Sequence, residues 1–266
     1  MALSPMIMGI INVTPDSFFP GSRVLATADA LARGLEQFDA GCDIVDIGGE
    51  STRPGATPVD EDEEIRRVVP VVEALSAFGP VSIDTQKVGV ARAAIAAGAT
   101  VLNDVSAEMV EVAGELGVGY VGMHRQGDST VMQVDPHYDD VVGEIATFLE
   151  AVAQRAARAG VERLWLDPGI GFGKTVLHNL TLLAQVDRFV SLADEYDAGI
   201  LIGTSRKSFL RHLGHEQLDV DQRLEGSIAT QAWALLQGVS MVRVHDATAA
   251  VQLRELLVRP VEEVVA

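Results

Sequence analysis

One pattern recurs eight times along the chain and leaves few folds open: a short β-branched apolar run ending in polar residues, then an Ala/Leu/Glu-rich amphipathic stretch. The runs are MIMGIINVT from Met6, CDIVDIGGE from Cys42, PVSIDT from Pro80, TVLNDVS from Thr100, YVGMH from Tyr120, RLWLDPG from Arg163, GILIGTS from Gly199 and MVRVHD from Met241. Near-continuous apolar strands alternating with helices belong to a parallel sheet covered on both faces. The intervening stretches ALARGLEQFDAG and VARAAIAAGA each close on a glycine suited to a helix C-cap. Eight such units in 266 residues fit a single (β/α)8 TIM barrel of the α/β class better than an open doubly wound sheet. No linker, charge block or low-complexity tract divides the chain, so residues 1–266 read as one domain.

Charge narrows the partners. Lys and Arg total 20 against 38 Asp and Glu, a formal net charge of −18, which argues against nucleic-acid and anionic-membrane binding. A small molecule is the expected partner, and even an anionic one is tolerated. Salt screens the surface field beyond ~8 Å, and a few cations can dominate inside a cleft. The opening MALSPMIMGIINVT has no basic leader pattern, and no segment reaches the ~18 apolar residues of a membrane span, so a cytoplasmic protein is expected. Cys42 is the single cysteine, which excludes an internal disulfide and a thiolate metal cluster; it reads as a small buried residue at a strand start.

In a barrel of this kind the chemistry sits where the strands end. Those ends carry Asn12, Ser51-Thr52-Arg53, Asp84, Asn103, Met123-His124, Asp167, Ser205-Arg206-Lys207, and Arg243 with His245. Taken alone, Asp84 or Asn103 reads equally well as a helix cap. Eight strands ending this way together favour a site, because an unpaired ionised group in a core costs several kcal/mol. Asp84, Asn103 and Asp167 with Lys207 offer carboxylates for an amidine-like edge, an amide for a mixed edge and an ammonium for a carbonyl, which are the features of a pterin ring. Arg53, Arg243 and His245 with Asn12 form a second, cationic set suited to a pyrophosphate held with a metal.

DPGIGFGKT, Asp167 to Thr175, imitates a phosphate loop without being one. Pro168 stands where a Walker loop needs its first glycine, and Lys174 stands where a dinucleotide loop needs its third. Asp167 is then the ligand reader, the glycines allow a tight turn beside a flat ring, and Lys174 reads as solvent-exposed or structural. His178, His212 and His215 lack metal-ligand spacing and read as surface residues.

The segments MGIINVTPDSF, GGESTRPGA, VSIDT, LNDVS, LDPGIGFGKT, GTSRKSF, RLEGSIAT and VRVHD, spread in order from Met8 to Asp246, resemble the dihydropteroate synthase family. The resemblance implies a TIM barrel that joins 6-hydroxymethyl-7,8-dihydropterin pyrophosphate to 4-aminobenzoate in folate biosynthesis, requires Mg²⁺ and is inhibited by sulfonamides. It implies that Asp167 and Asn103 read the aminopyrimidine edge, Lys207 meets the carbonyl side, and Met123 and Arg243 stack on the ring faces. Asp84, Lys207 and Arg243 are the implied catalytic residues, with Asp84 stabilising the developing dihydropterin cation. Asn12 is implied as the magnesium ligand, and Arg243 and His245 as pyrophosphate contacts. Phe18, Thr52, Arg53, Pro54, Phe172 and Ser208 would shape the aminobenzoate pocket. The family also implies a homodimer through late helices, consistent with the apolar stretches IATQAWALLQG and ATAAVQLRELLV.

The chain departs from the family pattern in three loops: FPGSR after Phe18, AEMVE after Ser106, and RQGDSTVMQ after His124. Two alternatives stand beside the synthase. A pterin-dependent methyltransferase would share barrel and pterin pocket but has no use for Arg53 and RVHD. A pterin-binding paralogue without condensation is motivated by the altered first loop.

Overall fold

The computed structural model of the chain describes residues 4–13, 20–51, 58–127, 132–212 and 217–258. All eight strands form: β1 Met6–Asn12, β2 Ile44–Gly48, β3 Val81–Asp84, β4 Val101–Asp104, β5 Gly119–Met123, β6 Leu164–Asp167, β7 Gly199–Ile202 and β8 Met241–Val244. They pair in parallel and in chain order, and β8 returns to β1 to close the barrel. Apart from β5, each is shorter than its apolar run, because the polar residues at the end leave the ladder and turn into the connecting loop.

The alternation of side chains along each strand separates two cores. One parity, including Val45, Ile47, Val81, Ile83, Leu102, Leu166, Ile202 and Val244, packs with the surrounding helices. The other fills the barrel with Met8, Ile44, Val101, Val121, Trp165, Leu201 and Met241. Two residues further along that inward face come Asp46, Asn103, Met123, Asp167 and Arg243. The apolar plug and the polar layer above it are thus one period-2 series, read from the bottom of the barrel to its mouth.

The helices are α1 Pro20–Asp39, α2 Glu61–Leu75, α3 Val88–Ala96, α4 Val110–Leu116, α5 Val141–Ala159, α6 Val176–Ala184, α7 Val186–Asp194, α8 Leu224–Leu236 and α9 Ala247–Val258. The glycines expected to close α1 and α3, Gly41 and Gly98, do adopt positive φ. Between β6 and β7 the single expected helix is two, parted at Gln185. Cys42 is buried just before β2, and burial pushes its thiol up to about 12, so it is an inert packing residue. Among the described residues no helix is long and apolar enough to cross a membrane.

Candidate active site

The polar layer is organised around a residue that strand-end reasoning passed over. Asp46, fully buried in β2, accepts from Arg243 Nε at 2.6 Å and from Asn103 Nδ2 at 2.9 Å, both at Oδ2. Arg243 also donates from Nη2 to Asp84 Oδ2 at 2.7 Å. One guanidinium therefore bridges two carboxylates, and three strands are tied to β8 through it. Burial pushes the Asp84 carboxyl up to about 7; Arg243 opposes that shift, while the charges of Asp46, Glu64 and Asp104 reinforce it. The cap reading of Asp84 and Asn103 fails: the Lys87 N–H, just before α3, donates to the Thr85 hydroxyl oxygen, and Asp104 organises the turn before α4. Arg243 does not stand apart from the carboxylates, because its Nε and Nη2 are bound to the buried Asp46 and Asp84.

Asp167 closes the layer at the end of β6. Its Oδ1 accepts the Gly169 N–H at 2.7 Å, which folds the chain back over the strand end. Burial raises its carboxyl above the ordinary range, opposed chiefly by Lys207. Gly169 has φ +69°, and a Cβ there would lie 1.8 Å from the His124 carbonyl oxygen, so only glycine fits. Lys207 donates to the Ile170 carbonyl and lies 4.6 Å from the centre of the Phe172 ring. Burial lowers its ammonium to about 8, with Asp167 pulling the other way.

Lys174 is not solvent-exposed. It is 3% exposed, donates to the Phe172 carbonyl at 2.9 Å and lies 3.1 Å from His124 Nδ1. Burial lowers it to about 7, and burial with the Lys174 charge lowers His124 to about 3. It serves as an internal tie between the glycine turn and the end of β5, so the structural half of the sequence reading holds and the exposed half does not. His178 is half-buried, caps α6 with Thr175 and stands edge-on to Tyr138 at 5.1 Å, while His212 is exposed; His215 lies outside the described residues.

Met123 is buried beside Asp167 across the β5–β6 ladder, Phe172 is half-buried and Ser208 is exposed. His245 Nδ1 lies 3.1 Å from the Ser205 hydroxyl, which also accepts the His245 N–H. Asn12 is exposed at the barrel mouth. A Cβ on Gly48 would sit 3.9 Å from Asn12 Oδ1 and 3.7 Å from Asp84 Oδ2, so the glycine leaves a niche between an amide oxygen and a carboxylate. Phe18, Thr52, Arg53 and Pro54 lie outside the described residues. Both flanks of the segment holding the last three are fastened, since Glu50 accepts from Val59 N–H at 2.8 Å and from Lys87 Nζ at 2.5 Å, and Lys87 also reaches buried Glu64.

Two of the three departures have a visible outcome. In the first, the residues from Pro20 on are already the start of α1, with Pro20 at the first helical position, where its missing N–H costs nothing. The AEMVE segment winds around Asp104, whose carboxylate accepts from Ser106 N–H, Met109 N–H and the Tyr120 hydroxyl.

Residues 8–245 match the family model described as pterin binding enzyme. Dihydropteroate synthase of Escherichia coli K12 is 41% identical, over 93% of this chain and 89% of that protein. The chain belongs to the dihydropteroate synthase family. Solved synthases share the barrel closely. That of Xanthomonas albilineans with 4-aminobenzoic acid superposes with a TM-score of 0.87 at 42% identity, covering 100% of this chain and 94% of that one. The Yersinia pestis synthase in a sulfonamide drug complex gives 0.87 at 38% identity, covering 97% and 94%. As a dihydropteroate synthase family member, the chain places Asp84, Asp167 and Arg243 on one barrel mouth within electrostatic reach of Lys207, with Asn103 joined to them through Asp46.

Proposed function

We infer that this site condenses 6-hydroxymethyl-7,8-dihydropterin pyrophosphate with 4-aminobenzoate, giving 7,8-dihydropteroate and pyrophosphate for folate biosynthesis. The observation that carries the reading is the inward polar layer, in which donors and acceptors matching a pterin stand over an apolar plug. In the reaction the C–O bond to pyrophosphate breaks with its electron pair leaving on oxygen. The aminobenzoate nitrogen forms a bond to the methylene carbon and loses a proton. Asp167 and Asn103 hold the aminopyrimidine edge, Lys207 the carbonyl side, and Met123 forms one wall. Asp84 faces the ring where positive charge develops, so its carboxylate stabilises the transition state. Arg243 and His245 contact the departing pyrophosphate, and Phe18, Thr52, Arg53, Pro54, Phe172 and Ser208 shape the aminobenzoate pocket, where sulfonamides would compete.

Asn12 would hold Mg²⁺ at the niche beside Gly48, where oxygen donors suit a hard cation that keeps most of its coordination for water and substrate phosphates. Held there, a metal would supply positive charge that offsets the charge of the pyrophosphate group. The test is pyrophosphate release followed with and without 4-aminobenzoate, and with and without a chelator. Release that needs both substrates and falls to background on metal removal is expected; pterin binding without release would identify a binding paralogue, and pterin binding indifferent to the pyrophosphate group would identify a methyltransferase.

The protein is further read as a cytoplasmic homodimer. Trp233 and Leu236 on α8 and Leu256, Leu257 and Val258 on α9 are exposed large apolar side chains on adjacent late helices. Sedimentation at micromolar concentration should show twice the 28.3 kDa chain mass; a single monomeric species overturns the dimer.

A further inference from the structure

Asp46 makes its contacts in a way that dictates what Asn103 shows to a ligand. Its Oδ2 takes the Arg243 Nε–H, and arginine can only donate, so that oxygen is an acceptor. The Asn103 atom 2.9 Å from the same oxygen must then be the amide nitrogen. Asn103 Oδ1 is turned the other way, and among the described residues nothing donates to it. The amide cannot flip without placing its oxygen against the Asp46 oxygen, a repulsive contact in a buried site.

We propose that Asp46 is a specificity-determining positioning residue: it locks the Asn103 amide so that its carbonyl oxygen faces the ligand, and thereby requires an N–H donor there. This rests on the pterin reading above, in which Asn103 meets the aminopyrimidine edge. A 2-amino group satisfies the demand; a ligand carrying a 2-oxo group in its place sets acceptor against acceptor. Selectivity of this kind is strong because the wrong ligand leaves a buried polar group unpaired. A second observation separates the role from folding. Asp46 Oδ1, Asp84 Oδ1 and Ser82 Oγ, on neighbouring strands in register, are all buried with no hydrogen-bond partner among the described residues. An acid placed only for stability would not leave an oxygen orphaned in the barrel interior.

The test is the ratio of dissociation constants for 6-hydroxymethylpterin and its 2-oxo counterpart, measured by calorimetry on the full-length chain. A ratio taken on folded protein is insensitive to the fraction that is folded. Asp46→Asn keeps an acceptor oxygen for both donors and should hold the ratio within about threefold of the starting value. Asp46→Leu has nearly the same shape but no acceptor, frees the amide to rotate, and should shrink the ratio by roughly 10–100-fold. Asn103→Leu should shrink it comparably, and the double variant should shrink it no further, since both act through one amide. If Asp46→Leu does not fold, Asp46→Asn and Asn103→Leu still decide. A ratio lost in Asp46→Asn, or one unmoved in Asn103→Leu, overturns the proposal. A ratio unchanged in a folded Asp46→Leu overturns it while leaving the synthase reading intact. Failure of the unmodified chain to bind 6-hydroxymethylpterin overturns both.

Discussion

Asp84→Asn should lower turnover by about 10²–10³-fold while pterin affinity stays within a few-fold of the starting value. The asparagine oxygen can still accept from Arg243 Nη2, so the bridge to β8 survives and the pocket keeps its shape. What disappears is the negative charge facing the cation that forms as pyrophosphate leaves, an interaction stronger in the transition state than in the ground state. The pH profile supplies a second readout. Burial raises the folded-state pKa of this carboxyl to about 7, so the ionised form accumulates as pH rises through that value. The rate constant kcat/KM should therefore fall about tenfold per pH unit below it and level off above it. Asp84→Asn should lose that acid limb. Near-normal turnover in the variant, with the limb intact, would make Asp84 a packing residue.

The second large effect concerns Asp167. Asp167→Ala should weaken pterin binding by ~2–4 kcal/mol, which is a loss of about 30–1000-fold in affinity, because the donor edge of the ring is left unpaired in a dry pocket. Alanine also deletes the bond that Oδ1 accepts from the Gly169 N–H, so disruption of the turn is a second cause of loss in that variant. Asp167→Asn separates the two contributions. Its amide oxygen can keep the Gly169 bond, while its NH₂ group meets the donor edge of the ligand with a donor. Calorimetry should find Asp167→Asn as damaged as the alanine variant; unchanged affinity in either removes Asp167 from ligand recognition.

The barrel was legible because its signal is local and repeated: each strand announces itself over five to nine residues, and the polar ends follow from the same alternation. The mouth residues Asp84, Asn103, Asp167, Lys207 and Arg243 were legible for that reason. Asp46 was not singled out, although it stands in the quoted run CDIVDIGGE, because it lies two residues below the end of its strand. A lone aspartate between Val45 and Ile47 on a buried strand was the available signal, since such a group needs a partner. Lys174 was misplaced for a different reason. Its burial is decided by His124, fifty residues earlier in the chain, and no local pattern encodes that meeting. The bridging role of Arg243 is likewise a product of closure, joining residues 197 and 159 positions apart.

That bridge bears on how the polypeptide is made. Asp46 and Asp84 leave the ribosome early, but the only cation bonded to them among the described residues arrives with the final strand. Until then a growing sheet holds two carboxylates that cannot be dehydrated without heavy cost. The upper interior of the barrel must stay wet during synthesis, and its drying waits for β8. Completion of the catalytic mouth and completion of the chain thus become a single cooperative event, so a product cut short before residue 243 would be left with a hydrated, open sheet rather than a slightly damaged enzyme.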